Sequence, residues 1–254
     1  MQVKDLVIHI KELLNYEQIK DSSYNGLQFT GSNKVKKIVS GVDASIDFLR
    51  EARRRDAEFA IVHHGMFWKG GEVSFVDKYW KNKFSELISG NINLFALHLP
   101  LDLHADFGNN PILARLLGLK IIGNFCDYQG SKVGVYGEYE SPKKIGDVLK
   151  DIEKKIGKIS CHLNFGEKKI SRVGIVSGGG GSAISDRIVC EENIDLILTG
   201  EIHHQHYFSA EERKIHAVSA GHYLTEIFGV KALGDHLAEK FNLQHEFIDL
   251  PTGL

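Results

Sequence analysis

The stretch Lys36–Gly65, KKIVSGVDASIDFLREARRRDAEFAIVHHG, sets two apolar runs on either side of a charged middle. KKIVSGV and EFAIVHH are rich in β-branched residues and read as strands, while SIDFLREARRR carries helical spacing. Strand, helix, strand is the grammar of an α/β fold. The second strand ends in two adjacent imidazoles, His63 and His64. A lone histidine there would read as a satisfied core residue; two side by side call for a partner.

The same alternation extends in both directions. Val3, Leu6, Val7, Ile10, Leu13 and Leu14 recur at helical spacing, and SSYNGLQFTG follows with an Asn-Gly turn. FVDKYWKNKFSELIS reads as a helix, INLFALH as a short buried strand and PILARLLG as a helix, with Pro111 in its first turn. The elements divide the chain into 1–125 and 126–254, the second set opening with SKVGVYGEY at Ser131 as a strand. The helix PKKIGDVLKDIEKKIG follows, with a proline start and a glycine stop. CHLNFG, SRVGIVSGG, DLILTG, IHAVSAG and LQHEFIDL read as strands; SAISDRIVCEE, HHQHYFSAEER and YLTEIFGVKALGDHLAEKF read as helices. The pattern predicts an α/β fold with mixed or parallel sheets. An internal echo accompanies it. IVSGVD leads through a helix to FAIVHHG as IVSGGGG leads to LILTGEI, the interval Gly41–His63 equals Gly178–Gly200, and each half continues to a strand ending in histidine. A duplicated α/β unit and ordinary α/β grammar both account for it.

Composition bounds the rest. The 254 residues are 43% hydrophobic and 25% charged with four prolines, an ordinary globular balance. A net charge of −2 gives no electrostatic reason to expect a nucleic-acid or anionic-membrane partner, and Arg53–Arg55 and Lys168–Lys169 read as solvated surface. Three scattered cysteines without a C-x-x-C pair suit a reducing compartment. No signal-peptide core and no run of ~20 apolar residues is present, so a soluble cytoplasmic protein is expected.

In open α/β sheets, ligands gather where strands end. Three such ends carry metal-type groups: His63-His64, His98 with Asp102, and His222 with Glu226, the last two as H-x-x-x-D and H-x-x-x-E. Imidazole and carboxylate donors suit zinc, manganese, iron or nickel. Successive strand residues point to opposite sides, so His63 and His64 are expected to reach different ions, with Glu226 as the bridging carboxylate. A surface or core histidine pair held by backbone hydrogen bonds is the alternative. The run Gly178–Gly181 follows a strand and opens an expected helix. It reads as a tight turn, or as an anion loop if the substrate carries phosphates, though it is neither a P-loop nor a complete dinucleotide fingerprint.

VHHGMFWKG, ALHLPLD followed by GNN, TGE and AGHYLTEIFGVKAL, with YNGLQFTG upstream, resemble the GTP cyclohydrolase 1 type 2 homolog (Nif-three-like) family over essentially the whole chain. The resemblance implies two interlinked α/β units with a dinuclear metal centre between them. It assigns His63, His64, Asp102, His222 and Glu226 as ligands of two divalent ions, Glu226 bridging, and leaves His98 for acid/base work or a supporting role. It also implies a ring-shaped homo-oligomer, typically a hexamer. Two departures stand out: Gly65 where the family usually has proline, and His203, His204 and His206 where relatives show other polar residues. Those histidines are read as an exposed first helical turn or as an additional metal contact. The resulting expectation is a metal-dependent hydrolase, of GTP cyclohydrolase type on a nucleotide. A metal-handling or metal-insertion protein, or an oligomeric scaffold, is the non-enzymatic alternative.

Overall fold

The computed structural model describes residues 1–71, 73 and 75–254. In chain order the strands are β1 (Gly26–Phe29), β2 (Lys37–Asp43), β3 (Phe59–His64), β4 (Asn93–Ala96), β5 (Lys120–Tyr128), β6 (Ser131–Lys144), β7 (Cys161–Asn164), β8 (Lys169–Val176), β9 (Leu196–Thr199), β10 (His216–Ser219) and β11 (Gln244–Phe247). They form two sheets, one in each of two compact units, and the fold is mixed α/β as expected.

The first unit comprises Met1–Leu101 and Gly229–Leu250. Its sheet runs β1-β4-β3-β2-β11, with β4, β3, β2 and β11 parallel and β1 antiparallel on the edge. The central strands are buried on both faces, which is why FAIV and LFA read as unbroken apolar runs rather than as alternation. The helix Ile46–Arg54 starts where Ser45 Oγ accepts the Phe48 amide at 3.1 Å, and it buries Phe48, Leu49 and Ala52. These pack with Val39, Val62, Leu87 and Leu94 into the unit's core.

The second unit comprises Asp102–Phe228 and Pro251–Leu254. Its sheet runs β5-β6-β8-β9-β10-β7; β8, β9 and β10 are parallel, and β5, β6 and β7 are antiparallel. Leu113, Val148, Ile152, Val173, Ile175, Leu196 and Val218 form its core. Each unit thus contains three consecutive parallel strands in spatial order, β2-β3-β4 and β8-β9-β10, matching the internal echo.

The expected division at 125/126 is not where the contacts separate. That cut would pass through β5, and residues 229–250 carry β11 to the free edge of β2 in the first sheet. Two element readings also change. SAISDRIVCEE forms a 3₁₀ turn, Gly180–Ser185, and a short helix, Ile188–Glu191, instead of one helix. Pro142 lies in β6, so the next helix begins at Ile145. Among the described residues no helix is long and apolar enough to cross a membrane.

Candidate metal centre

In the first unit the parallel strands all end on one side of the sheet, and the histidines collect there. His63 and His64 close β3, and His98 lies just beyond β4. The ring centroids are 4.8 Å apart for His63–His64, 5.0 Å for His63–His98 and 5.6 Å for His64–His98. One ligand atom from each of the three falls within 4.8 Å of the others, close enough to hold an ion. Strand alternation therefore does not send His63 and His64 apart. They sit where the strand ends, and the two rings converge.

Each imidazole is tied by a different neighbour. His63 Nδ1 donates to the Leu97 carbonyl at 2.9 Å, next to β4 on one side. His64 Nδ1 donates to Asp43 Oδ1 at 2.8 Å, at the end of β2 on the other. His98 Nδ1 donates to Asp21 Oδ1 at 2.8 Å. Carbonyl and carboxylate oxygens only accept, so each Nδ1 carries a proton, and whenever a ring is neutral its lone pair lies on Nε2.

Asp21 is the hub of this arrangement and is 1% exposed. Oδ1 also accepts the Ser23 amide at 3.0 Å, while Oδ2 accepts Asn25 Nδ2 at 2.9 Å and the Leu99 amide at 3.0 Å. Asn25 returns its Oδ1 to the His98 amide at 2.8 Å. Burial raises the Asp21 pKa, but the hydrogen bond and charge of His98, with Asn25 and the Ser23 amide, bring it down to about 2. The YNG motif thus orients His98. Gly65 has a local explanation too: a Cβ there would lie 2.5 Å from Ala96 Cβ and from the Gln28 amide. That amide oxygen accepts the Met66 backbone N–H at 2.6 Å and so shapes the turn itself.

In the second unit, His222 and Glu226 stand one turn apart at the start of the helix His222–Phe241. His222 Nε2 is 3.2 Å from Glu226 Oε2, and its Nδ1 donates to Glu201 Oε1 at 2.6 Å. Burial lowers the His222 pKa, but Glu226 and then Glu201 outweigh it and raise it to about 9. Asp102 is buried and accepts Asn109 Nδ2 at 2.7 Å and Ser177 Oγ at 3.3 Å on Oδ1. Ser177 leads directly into Gly178, whose φ is +59° and whose position leaves no space for a Cβ against the Glu226 carboxylate. Asp102, His222 and Glu226 therefore share one neighbourhood. The Gly178 amide donates to Thr225 Oγ1 at 2.9 Å, so this glycine serves close packing and its N–H is not offered to an anion.

The extra histidines behave differently from one another. His203 is exposed, and its Nε2 is paired with Glu201 Oε2 at 3.0 Å. His206 is buried and its Nδ1 accepts the His203 amide at 3.0 Å, while His204 is exposed. Among the described residues none of the three joins a metal-ready group. Asp21, Asp43 and Glu201 have no assigned role in the sequence reading, although YNG and TGE pointed to their surroundings.

Residues 1–252 match the family described as Duf34/NIF3 (NGG1p interacting factor 3). The chain belongs to the Duf34/NIF3 family. A relative from Pyrococcus abyssi, named GTP cyclohydrolase 1 type 2 homolog, is 40% identical over 255 residues and covers 100% of both chains. Among solved structures, the protein ybgI, described as of unknown function, superposes with a TM-score of 0.92 at 37% identity and full coverage of both chains. TTHA1606 from Thermus thermophilus does so with 0.88 at 35% identity, again over both whole chains. This Duf34/NIF3 chain is therefore similar along its entire length to proteins carrying a cyclohydrolase-homolog name.

Proposed function

We propose that this protein is a hydrolase dependent on two divalent ions held by His63, His64, Asp102, His222 and Glu226, with Glu226 shared. One observation supports the reading above others: His63, His64, His98 and His222 are each anchored through Nδ1 to an oxygen acceptor. Histidine ligands of metals are typically held this way, with the second nitrogen fixed by a carboxylate or carbonyl. The nitrogen and oxygen donors fit zinc, manganese, iron or nickel. When bound, such ions lower the pKa of water toward ~7 and polarise the bond under attack.

The remaining chemistry falls to the chain itself. His98, with its Nδ1–H held by Asp21, presents Nε2 as the group that takes or gives a proton. Trp68 packs against it edge-on, with ring centroids 5.1 Å apart. Trp68 also lines a cleft of about 430 Å³ with Tyr24, Asn25, Gln28 and Phe67. Its aromatic walls suit a planar base, and the relatives' name points to a purine nucleotide. Water would then add at the purine C8 and open the imidazole ring, with His98 moving a proton to or from the ring nitrogen. A homo-oligomer, expected as a hexamer, belongs to the same reading and is checked by sedimentation velocity.

The deciding experiment is metal content by mass spectrometry on untagged protein. About two ions per chain are expected, none in Glu226→Ala, and a weakened single ion in His63→Ala or His64→Ala. Equal loss in all three variants overturns the shared carboxylate. No metal after reconstitution with manganese or zinc overturns the hydrolase. Bound, exchangeable metal without turnover of any nucleotide would favour metal handling or insertion.

A further inference from the structure

Glu201 follows the end of β9, at the position of the second unit that corresponds to the paired histidines of the first. Its backbone is pinned: Gly200 O accepts Ser219 Oγ at 2.6 Å and the Gly221 amide at 3.1 Å. Both carboxylate oxygens are engaged, Oε1 with His222 Nδ1 at 2.6 Å and Oε2 with His203 Nε2 at 3.0 Å. His203 is steadied in turn, because its amide donates to the ring of buried His206 at 3.0 Å.

We propose that Glu201 is a positioning residue for His222, braced by His203 from the solvent side, so that the imidazole Nε2 faces Glu226. This rests on the reading of His222 and Glu226 as metal ligands. A half-turn of the ring would replace Nδ1 with a carbon and forfeit the hydrogen bond to Glu201, so the carboxylate selects one ring orientation. Asp43 acts on His64 by the same device in the first unit. The unexplained His203 of this chain thereby acquires a role that is not ligation.

The test uses the full chain with Glu201→Ala, Glu201→Gln and His203→Ala, each confirmed folded by circular dichroism. Two quantities are read: zinc affinity by chelator competition, and the downfield His222 Nδ1–H proton resonance by NMR. Glu201→Ala is expected to weaken zinc by roughly 10–100-fold and to abolish the resonance. Glu201→Gln, whose amide oxygen still accepts, should recover part of both, and His203→Ala should lose less than Glu201→Ala. A Glu201→Ala protein with unchanged zinc affinity and an unchanged resonance overturns the proposal. If the wild type binds no zinc, the metal reading falls. Dependence of the resonance on Glu201 would still uphold the positioning role, and independence would remove it.

Discussion

Asp21 accepts hydrogen bonds from Ser23, Asn25, His98 and Leu99, and it is the residue whose ionisation the fold most clearly uses. Its carboxyl moves from an ordinary 3.8 to about 2 in the folded protein. A depressed carboxylate stabilises the fold fully above its unfolded value, and that contribution fades as pH falls through the folded one. The shift corresponds to about 2 kcal/mol. Asp21→Asn should therefore be less stable than the wild type, with the gap shrinking by about 2 kcal/mol between roughly pH 5 and pH 2 in urea unfolding. A gap that stays constant with pH would show that the charge of Asp21 is not what matters. The histidines were legible in the sequence because paired imidazoles at a strand end are chemically conspicuous. Asp21 and Asp43 were not: an aspartate in a loop or at the end of a strand is common, and the contact of Asp21 with His98 spans most of the first unit's sequence.

Among the elements, β2 and β11 are joined by a chain that resembles catalytic machinery. Ser40 Oγ is 2.8 Å from His245 Nε2, and His245 Nδ1 is 2.7 Å from Asp235 Oδ1. The order is that of a nucleophilic triad, but its burial is reversed: Ser40 is fully buried while the Asp235 side chain is 76% exposed. The chain is a clamp holding a C-terminal strand to the sheet. Ser40→Ala should cost about 1 kcal/mol in chemical denaturation and leave the proposed zinc affinity of the histidine site unchanged. Loss of zinc affinity at unchanged stability would show that Ser40 serves the site and not only the clamp. Element by element, the uninterrupted apolar strands were readable. β5 was not read as a strand, because Gly123 and Asn124 interrupt an edge strand whose burial is partial. Its pairing with β6 depends on a tight turn in which Gln129 and Gly130 both take positive φ.

For the whole molecule, chain order and spatial unit diverge. Residues 229–250 complete the first unit from the far end of the sequence. Fragments 1–125 and 126–254, expressed separately, should each lack a cooperative thermal transition. The first has lost β11 and the helix segment leading to it, and the second has lost part of β5. A sharp melt of 1–125 alone would show that β11 is dispensable. The sequence by itself determined the α/β class, the one strand that closes on paired histidines and the residue types able to hold a metal, whereas His98 lies beyond β4 and His222 opens a helix. Hydrophobic period and donor chemistry are local properties, written within a few positions. The tertiary structure decided which sheet receives β11, which carbonyl or carboxylate oxygen orients each imidazole, and that Gly178 must lack a side chain against Glu226. Those facts depend on contacts between segments far apart in the chain, and no local pattern encodes them.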